Sequence, residues 1–118
     1  MFELSVEDSF DAAHALRDYK GPCENLHGHT WKVQVSLEGK NLNEIGLLED
    51  FKTIKNNLRK ALLEFDHKFL NDLKPFETEN PSSENLAKII YKMMKGSDKM
   101  VTKVMVWESP TSRAAYWE

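Results

Sequence analysis

The stretch His27-Gly28-His29-Thr30-Trp31-Lys32-Val33-Gln34-Val35-Ser36-Leu37-Glu38 decides the fold class. His27, His29, Trp31, Val33, Val35 and Leu37 fall on one face, and Thr30, Lys32, Gln34, Ser36 and Glu38 on the other. Apolar and polar residues alternating at period two make a strand with one buried face. Gly39-Lys40-Asn41 ends it. Upstream, Phe2, Leu4 and Val6 alternate in the same way. The pattern resumes at Phe10, Ala12, His14 and Leu16, with Glu7-Asp8-Ser9 expected as a bulge or turn. A loop from Asp18 to Glu24, containing Gly21-Pro22, joins the two strands.

Downstream the period changes. Asp50 is placed as a helix N-cap, followed by Phe51, Ile54, Leu58, Leu62 and Phe65 at helical spacing. Asp66 to Pro81 has no clean period and reads as a long ordered loop, of the kind that often carries function. Ser82 or Ser83 caps a second helix with Leu86, Ile89, Ile90 and Met93 on its apolar face, and Gly96 is expected to end it. Met100 to Glu108 and Ala114 to Trp117 read as two further strands. The order strand, strand, helix, helix, strand, strand predicts one α+β domain over 1–118. Its two helices lie on one face of an antiparallel four-stranded sheet.

The chain has 118 residues and a formal net charge of -3. That balance gives no basic face for nucleic acid and none for a membrane. No apolar run approaches a membrane span, and the N-terminus lacks signal-peptide features. The single cysteine excludes an internal disulfide and fits a reducing compartment, so the expected location is cytoplasmic.

The chemistry concentrates in Cys23-Glu-Asn-Leu-His27-Gly-His29. On a strand His27 and His29 point the same way. His14 lies on the apolar register of the first strand and can complete a three-histidine site if the two strands pair. Three neutral nitrogens at roughly 2.0–2.1 Å leave one position open on tetrahedral zinc, the arrangement of a catalytic site. A His-X-His pair is often only two hydrogen-bonded polar residues; here all three histidines lie on faces that otherwise read as core. Gly28 is expected to let other backbone approach. Cys23 sits among Pro22, Glu24 and Asn25, a polar loop rather than core, and a nearby metal favours its thiolate. Asp66-His67 is either polarity at a helix C-terminus or an acid–base pair with the tautomer fixed by the carboxylate. Glu108 is either a solvent-facing strand end or a carboxylate accepting paired N–H donors, such as the guanidine-like edge of a pterin.

These motifs, in this order, resemble the 6-pyruvoyl-tetrahydropterin synthase and 6-carboxytetrahydropterin synthase family. The stretches that carry the resemblance are Phe10 to Leu16, Cys23 to His29, Gly46 to Phe51, Asp66-His67 with Leu70-Asn71, Asn80 to Ala87, and Val106-Trp-Glu108. The resemblance implies zinc on His14, His27 and His29, Cys23 as proton acceptor, and His67 oriented by Asp66 as its partner. It implies Glu108 as anchor of the pterin ring, with Ser82, Ser83 and Glu84 lining the same pocket. The implied substrate is 7,8-dihydroneopterin triphosphate; the residues that bind its phosphates are not readable from the sequence, and Arg17 and Lys20 are candidates only because they lie in a loop expected near the metal. The implied fold is the tunnelling fold (T-fold), whose subunits join sheets into barrels, usually as homohexamers with active sites at subunit interfaces. Ser82 and Ser109 stand where threonine is usual.

The three residues between Cys23 and His27 resemble the 6-carboxytetrahydropterin branch, which feeds queuosine and related deazapurines. Glu24 also creates a Glu-X-X-His-Gly-His pattern. That is similar to a branch in which Glu is the base and 6-hydroxymethyl-7,8-dihydropterin, a folate precursor, is the product. The expected activity is a carbon–oxygen lyase of the 6-carboxy type. The alternatives are the 6-pyruvoyl reaction, the folate-precursor reaction, or both activities in one chain. A non-catalytic zinc assembly protein would need none of Cys23, Asp66, His67 and Glu108.

Overall fold

The computed structural model describes residues 1–19 and 25–118. Its strands are β1 (Phe2–His14), β2 (His27–Gly39), β3 (Lys68–Phe69), β4 (Val101–Ser109) and β5 (Ser112–Tyr116). They form one sheet in the order β3-β1-β2-β4-β5. Helices α1 (Phe51–Leu62) and α2 (Ser83–Ser97) pack together, α1 on β1 and α2 on β4 and β5. No helix among the described residues is long and apolar enough to cross a membrane.

The sheet is therefore five-stranded and mixed, not four-stranded and antiparallel. The added strand, β3, runs parallel to β1 through Ala12↔Lys68 and Ala13↔Phe69. Two residues carry no periodicity, so hydropathy alternation cannot reveal such a strand. The expected long loop holds this strand and two single 3₁₀ turns, Leu70–Asp72 and Lys74–Phe76, which bury Leu70 and Phe76.

Glu7-Asp8-Ser9 does not interrupt β1. The strand pairs with β2 without a break from Phe2↔Gly39 to His14↔His27, and it ends at His14 rather than Leu16. Asp8 falls in the core-face register, and Arg59 of α1 reaches it with Nη1 3.3 Å from each carboxylate oxygen. The helix supplies the counter-charge that lets an acid stand in an otherwise apolar row.

The buried face of the sheet carries Val6, Phe10, Ala12, Trp31, Val33, Val35, Leu37, Val104 and Val106 against Ile54, Leu58, Leu86 and Ile90 of the helices. Phe10 and Trp31, directly paired across β1 and β2, stack with ring centroids 6.1 Å apart. Asp50 caps α1 by accepting from Lys52 N at 2.8 Å. Ser82 caps α2 by accepting from Asn85 N at 3.2 Å. Gly96 lies inside α2, which continues to Ser97. Glycine weakens a helix but does not oblige it to stop.

The helix ends meet at two carboxyls. Glu49, just before the α1 cap, has its Oε2 buried with no hydrogen-bond partner among the described residues. Burial, with the Asp98 carboxyl at the end of α2, pushes Glu49 up to about 7. The fold thus binds a proton that the unfolded chain releases near 4.5. Stability should be full below about 4.5 and decline as pH rises to about 7. Glu49→Gln should flatten that decline in denaturant titrations; an unchanged slope would show that Glu49 does not hold the proton.

Candidate metal centre and its surroundings

Antiparallel register assembles the centre. His14 of β1 pairs directly with His27 of β2, and Ala12 pairs with His29, so all three imidazoles project from the core face at one end of the two strands. Their ring centroids lie 4.5 to 5.3 Å apart. Trp31 forms the floor, edge-on to His14 at 4.9 Å and to His29 at 5.3 Å. Its indole N–H donates to the Ala12 carbonyl at 3.2 Å.

Two of the tautomers are set by backbone. His14 Nδ1 donates to the Pro81 carbonyl at 2.7 Å, and His27 Nδ1 donates to the Asn25 carbonyl at 2.7 Å. In each neutral ring Nε2 then carries a lone pair. Those two Nε2 atoms are 3.0 Å apart. Facing lone pairs at that distance repel unless a cation lies between them. Tetrahedral zinc at 2.0–2.1 Å would hold such nitrogens about 3.3 Å apart. His29 Nε2 is buried and, although 2.9 Å from Glu108 Oε1, is not aligned for a hydrogen bond with any described residue. Burial holds His29 below the usual imidazole range, against the pull of Glu108 and with the help of His27 and His14. A neutral ring with an orphaned buried nitrogen has the donor state a metal requires. The residues fit a metal ion.

Glu108 joins this cluster. Its Oε1 lies 2.9 Å from His29 Nε2, 3.2 Å from His14 Nε2 and 3.7 Å from His27 Nε2. Donor atoms of all four residues fall within 4.8 Å of one another. The resemblance implied Glu108 as anchor of a pterin ring; in the structure its carboxylate stands beside the three imidazoles. A register shift between Trp107 and Ser109 marks this end of β4.

Asp66 and His67 form a second group. Asp66 Oδ1 accepts from Asp11 N at 3.0 Å and lies 3.1 Å from His67 Nδ1. The Asp11 amide, with help from His67 and Arg59, keeps the Asp66 carboxyl below the usual carboxylate range. His67 has φ +60, a left-handed conformation uncommon for a residue with a side chain. Its amide donates to the Asp11 carbonyl at 2.6 Å, fixing the turn. The His67 side chain is 78% exposed and clusters with the Asp11 carboxylate. By strand alternation Asp11 projects from the polar face, opposite His14, His27 and His29. The Asp66–His67 pair and the three imidazoles of one chain thus lie on opposite faces of the sheet.

Ser83, Glu84 and Glu108 line one cavity of about 450 Å³ together with Ser112 and Arg113. Ser82 is not in that wall; its hydroxyl caps α2. Arg17 donates from Nη1 to the Glu79 carbonyl at 3.0 Å and from Nη2 to the Asn71 carbonyl at 3.4 Å, both at the surface. Among the described residues nothing approaches Gly28, since a Cβ added there would meet no atom within 4 Å. Its expected close backbone approach does not occur. Cys23, Glu24 and Lys20 lie outside the described residues.

Sequence reasoning assigned no role to Asn71, Asn80 and the Pro81 carbonyl. Asn71 accepts from Ala15 N at 2.9 Å and donates to Ala15 O at 2.8 Å. Asn80 does the same to Arg17, at 2.8 and 3.0 Å. Each side-chain amide mimics a strand partner and fixes the chain just after His14. The signal available was the Asn71 and Asn80 positions within the quoted motifs, whose function spacing alone does not reveal.

Fold and cluster together define a T-fold protein with a side-chain cluster that could hold a metal ion. Residues 3–118 match the family model described as 6-pyruvoyl tetrahydropterin synthase. The chain belongs to that family and is a lyase-type enzyme of the tetrahydropterin synthase kind. It is 32% identical to the 6-carboxy-5,6,7,8-tetrahydropterin synthase of Haemophilus influenzae, covering 100% of both chains. It is 33% identical to the dihydroneopterin monophosphate aldolase of Pyrococcus furiosus, over 85% of this chain and 83% of that protein. The solved 6-pyruvoyl tetrahydropterin synthase of Caenorhabditis elegans superposes with a TM-score of 0.91 at 28% identity, covering 99% and 95% of the two chains.

Loss of one imidazole should open the cluster. His27→Ala should lose tightly bound metal while keeping its circular dichroism spectrum, and metal analysis of the purified protein would check it. Full occupancy in that variant would remove His27 from the ligand set.

Proposed function

We propose that this chain is a zinc-dependent 6-carboxy-5,6,7,8-tetrahydropterin synthase acting on 7,8-dihydroneopterin triphosphate, a cytoplasmic enzyme on a route to queuosine and other 7-deazapurines. The observation that carries the reading is the convergence of three Nε2 atoms, two with tautomers set by backbone, on one point beside Glu108. His14, His27 and His29 would hold the zinc, which when bound supplies a Lewis acid for substrate oxygens.

The remaining chemistry belongs to the side chains. Cys23, four residues before His27, would take a proton from the substrate side chain as thiolate. Asp66 keeps His67 oriented by accepting at Nδ1, so Nε2 is the atom available for proton transfer. Glu108 has a second carboxylate oxygen for the paired N–H donors of a pterin, and Ser83 and Glu84 share its cavity.

Because His67 and the imidazole cluster lie on opposite faces, one chain does not complete this set. A second copy would supply the missing half. Among the described residues the outer edge of β1 pairs only at Ala12 and Ala13, and β5 pairs only with β4. Both edges are open to strand addition between copies, which supports a ring assembly and, by family resemblance, a homohexamer. Mixing His14→Ala with His67→Ala chains, each inactive alone, should restore activity if the site is shared, and would restore none if it is not.

A second reading has its own support. Glu24 precedes His27 in the Glu-X-X-His-Gly-His pattern, and one relative is named a dihydroneopterin monophosphate aldolase. Product analysis with dihydroneopterin triphosphate separates the two. Cys23→Ala should lower the 6-carboxy product roughly 10²–10⁴-fold, the usual loss of a general base, with zinc content unchanged. Wild-type levels of that product would end the Cys23 assignment. Release of 6-hydroxymethyl-7,8-dihydropterin, lost in Glu24→Ala, would establish the second activity.

A further inference from the structure

On the polar face, one cross-strand row runs Lys32, Trp107, Arg113 through β2, β4 and β5. Lys32 Nζ lies 4.1 Å from the centre of the Trp107 ring, and the Arg113 guanidinium carbon lies 5.7 Å from it. Arg113 forms no ion pair among the described residues. Lys32 has one partner there, Glu7, at 3.8 Å with both side chains about half exposed, a contact of little strength. Trp107 holds both cations in place while leaving their N–H donors free.

This row borders an opening through the sheet. Pairing between β2 and β4 stops at Lys32↔Trp107. Residues 27–31 of β2 therefore have no strand partner on that side among the described residues. A cavity of about 570 Å³ occupies the gap and is lined by Gly28, His29, Thr30, Lys32, Trp107 and Glu108, among others. It joins the edge of the metal centre to the polar face. Gly28 leaves that opening clear, since a Cβ there would meet nothing. Lys32 lies three residues beyond His29, roughly 10 Å along the strand.

We infer that this cavity is an anion subsite, in which Lys32, held over Trp107, binds the phosphate end of a ligand whose hydroxyl-bearing part reaches the imidazole cluster. This rests on the pterin reading for the ligand's identity, but the subsite's affinity for phosphate does not.

The test measures binding of inorganic triphosphate to the zinc-loaded protein by calorimetry, with zinc content followed to detect chelation. Binding should weaken about 10- to 100-fold in Lys32→Met, the range for loss of a charge-assisted contact, with zinc content and melting temperature unchanged. A second arm compares 7,8-dihydroneopterin with its triphosphate. Lys32→Met should erase the preference for the triphosphate and leave affinity for the unphosphorylated pterin unchanged. Gly28→Val, which creates no clash in the empty protein, should weaken both pterins by narrowing the opening. If wild type binds neither pterin but Lys32 still governs inorganic triphosphate, the subsite stands and the pterin reading falls. Equal triphosphate binding by wild type and Lys32→Met, or none by either, overturns the subsite.

Discussion

The register of β1 against β2 is the constraint on which the site depends. His14 opposite His27, with His29 opposite Ala12, puts three imidazoles on one face only because both strands are in phase. A slip by one residue would send each histidine of one strand to the other face. What prevents the slip is the apolar row that shares that face. Val6, Phe10, Trp31, Val33, Val35 and Leu37 are all buried, and turning them outward would forfeit roughly 1.5–3 kcal/mol for each large side chain. The core therefore fixes the metal geometry, and the histidines ride on its pattern.

The centre carries a local conflict that the fold tolerates. His14 is 1% exposed, sits on Trp31, and has both ring nitrogens in polar contacts. Two lone pairs meet at close range, and His29 has a nitrogen without a hydrogen-bond partner. Natural cores leave few polar atoms in that state, and each one calls for a cause. Here a cation would relieve all three at once. Asn71, Asn80 and Pro81 hold the strand end and His14 rigid, so the arrangement is maintained rather than relaxed. Outer-shell partners of this kind orient metal ligands in general.

Much of this was legible in the sequence, and the omissions have physical causes. Alternation exposed β1 and β2 because both have one wet and one dry face. The N-caps of α1 and α2 were readable because Asp50 and Ser82 precede apolar helical runs. β3 was not readable, since a two-residue strand exists only through its neighbour. Asp8 looked like a break because its counter-charge, Arg59, is remote in sequence. The three histidines were found from parity alone. The place of Glu108 among them was not, because it depends on where the β4–β5 hairpin turns, a feature of tertiary register rather than composition.

The two faces of the sheet divide the chemistry. On the helix-covered face lie the ligands, shielded on one side by Trp31, where a low dielectric strengthens a metal's field. On the polar face lie Asp66 and His67, held by the Asp11 backbone and open to water, with Lys32 and Arg113 further along the sheet. A reaction needing both sets cannot be completed by side chains swinging through a hydrogen-bonded ladder. Two routes exist: the gap beside residues 28–30, where the ladder ends, and the approach of another copy's sheet edge. The first suits a slender ligand tail. The second would suit a side chain as exposed and backbone-fixed as His67. Among the described residues the sheet leaves most of its outer β1 edge and the outer edge of β5 unpaired, and it holds the imidazoles and His67 on opposite faces.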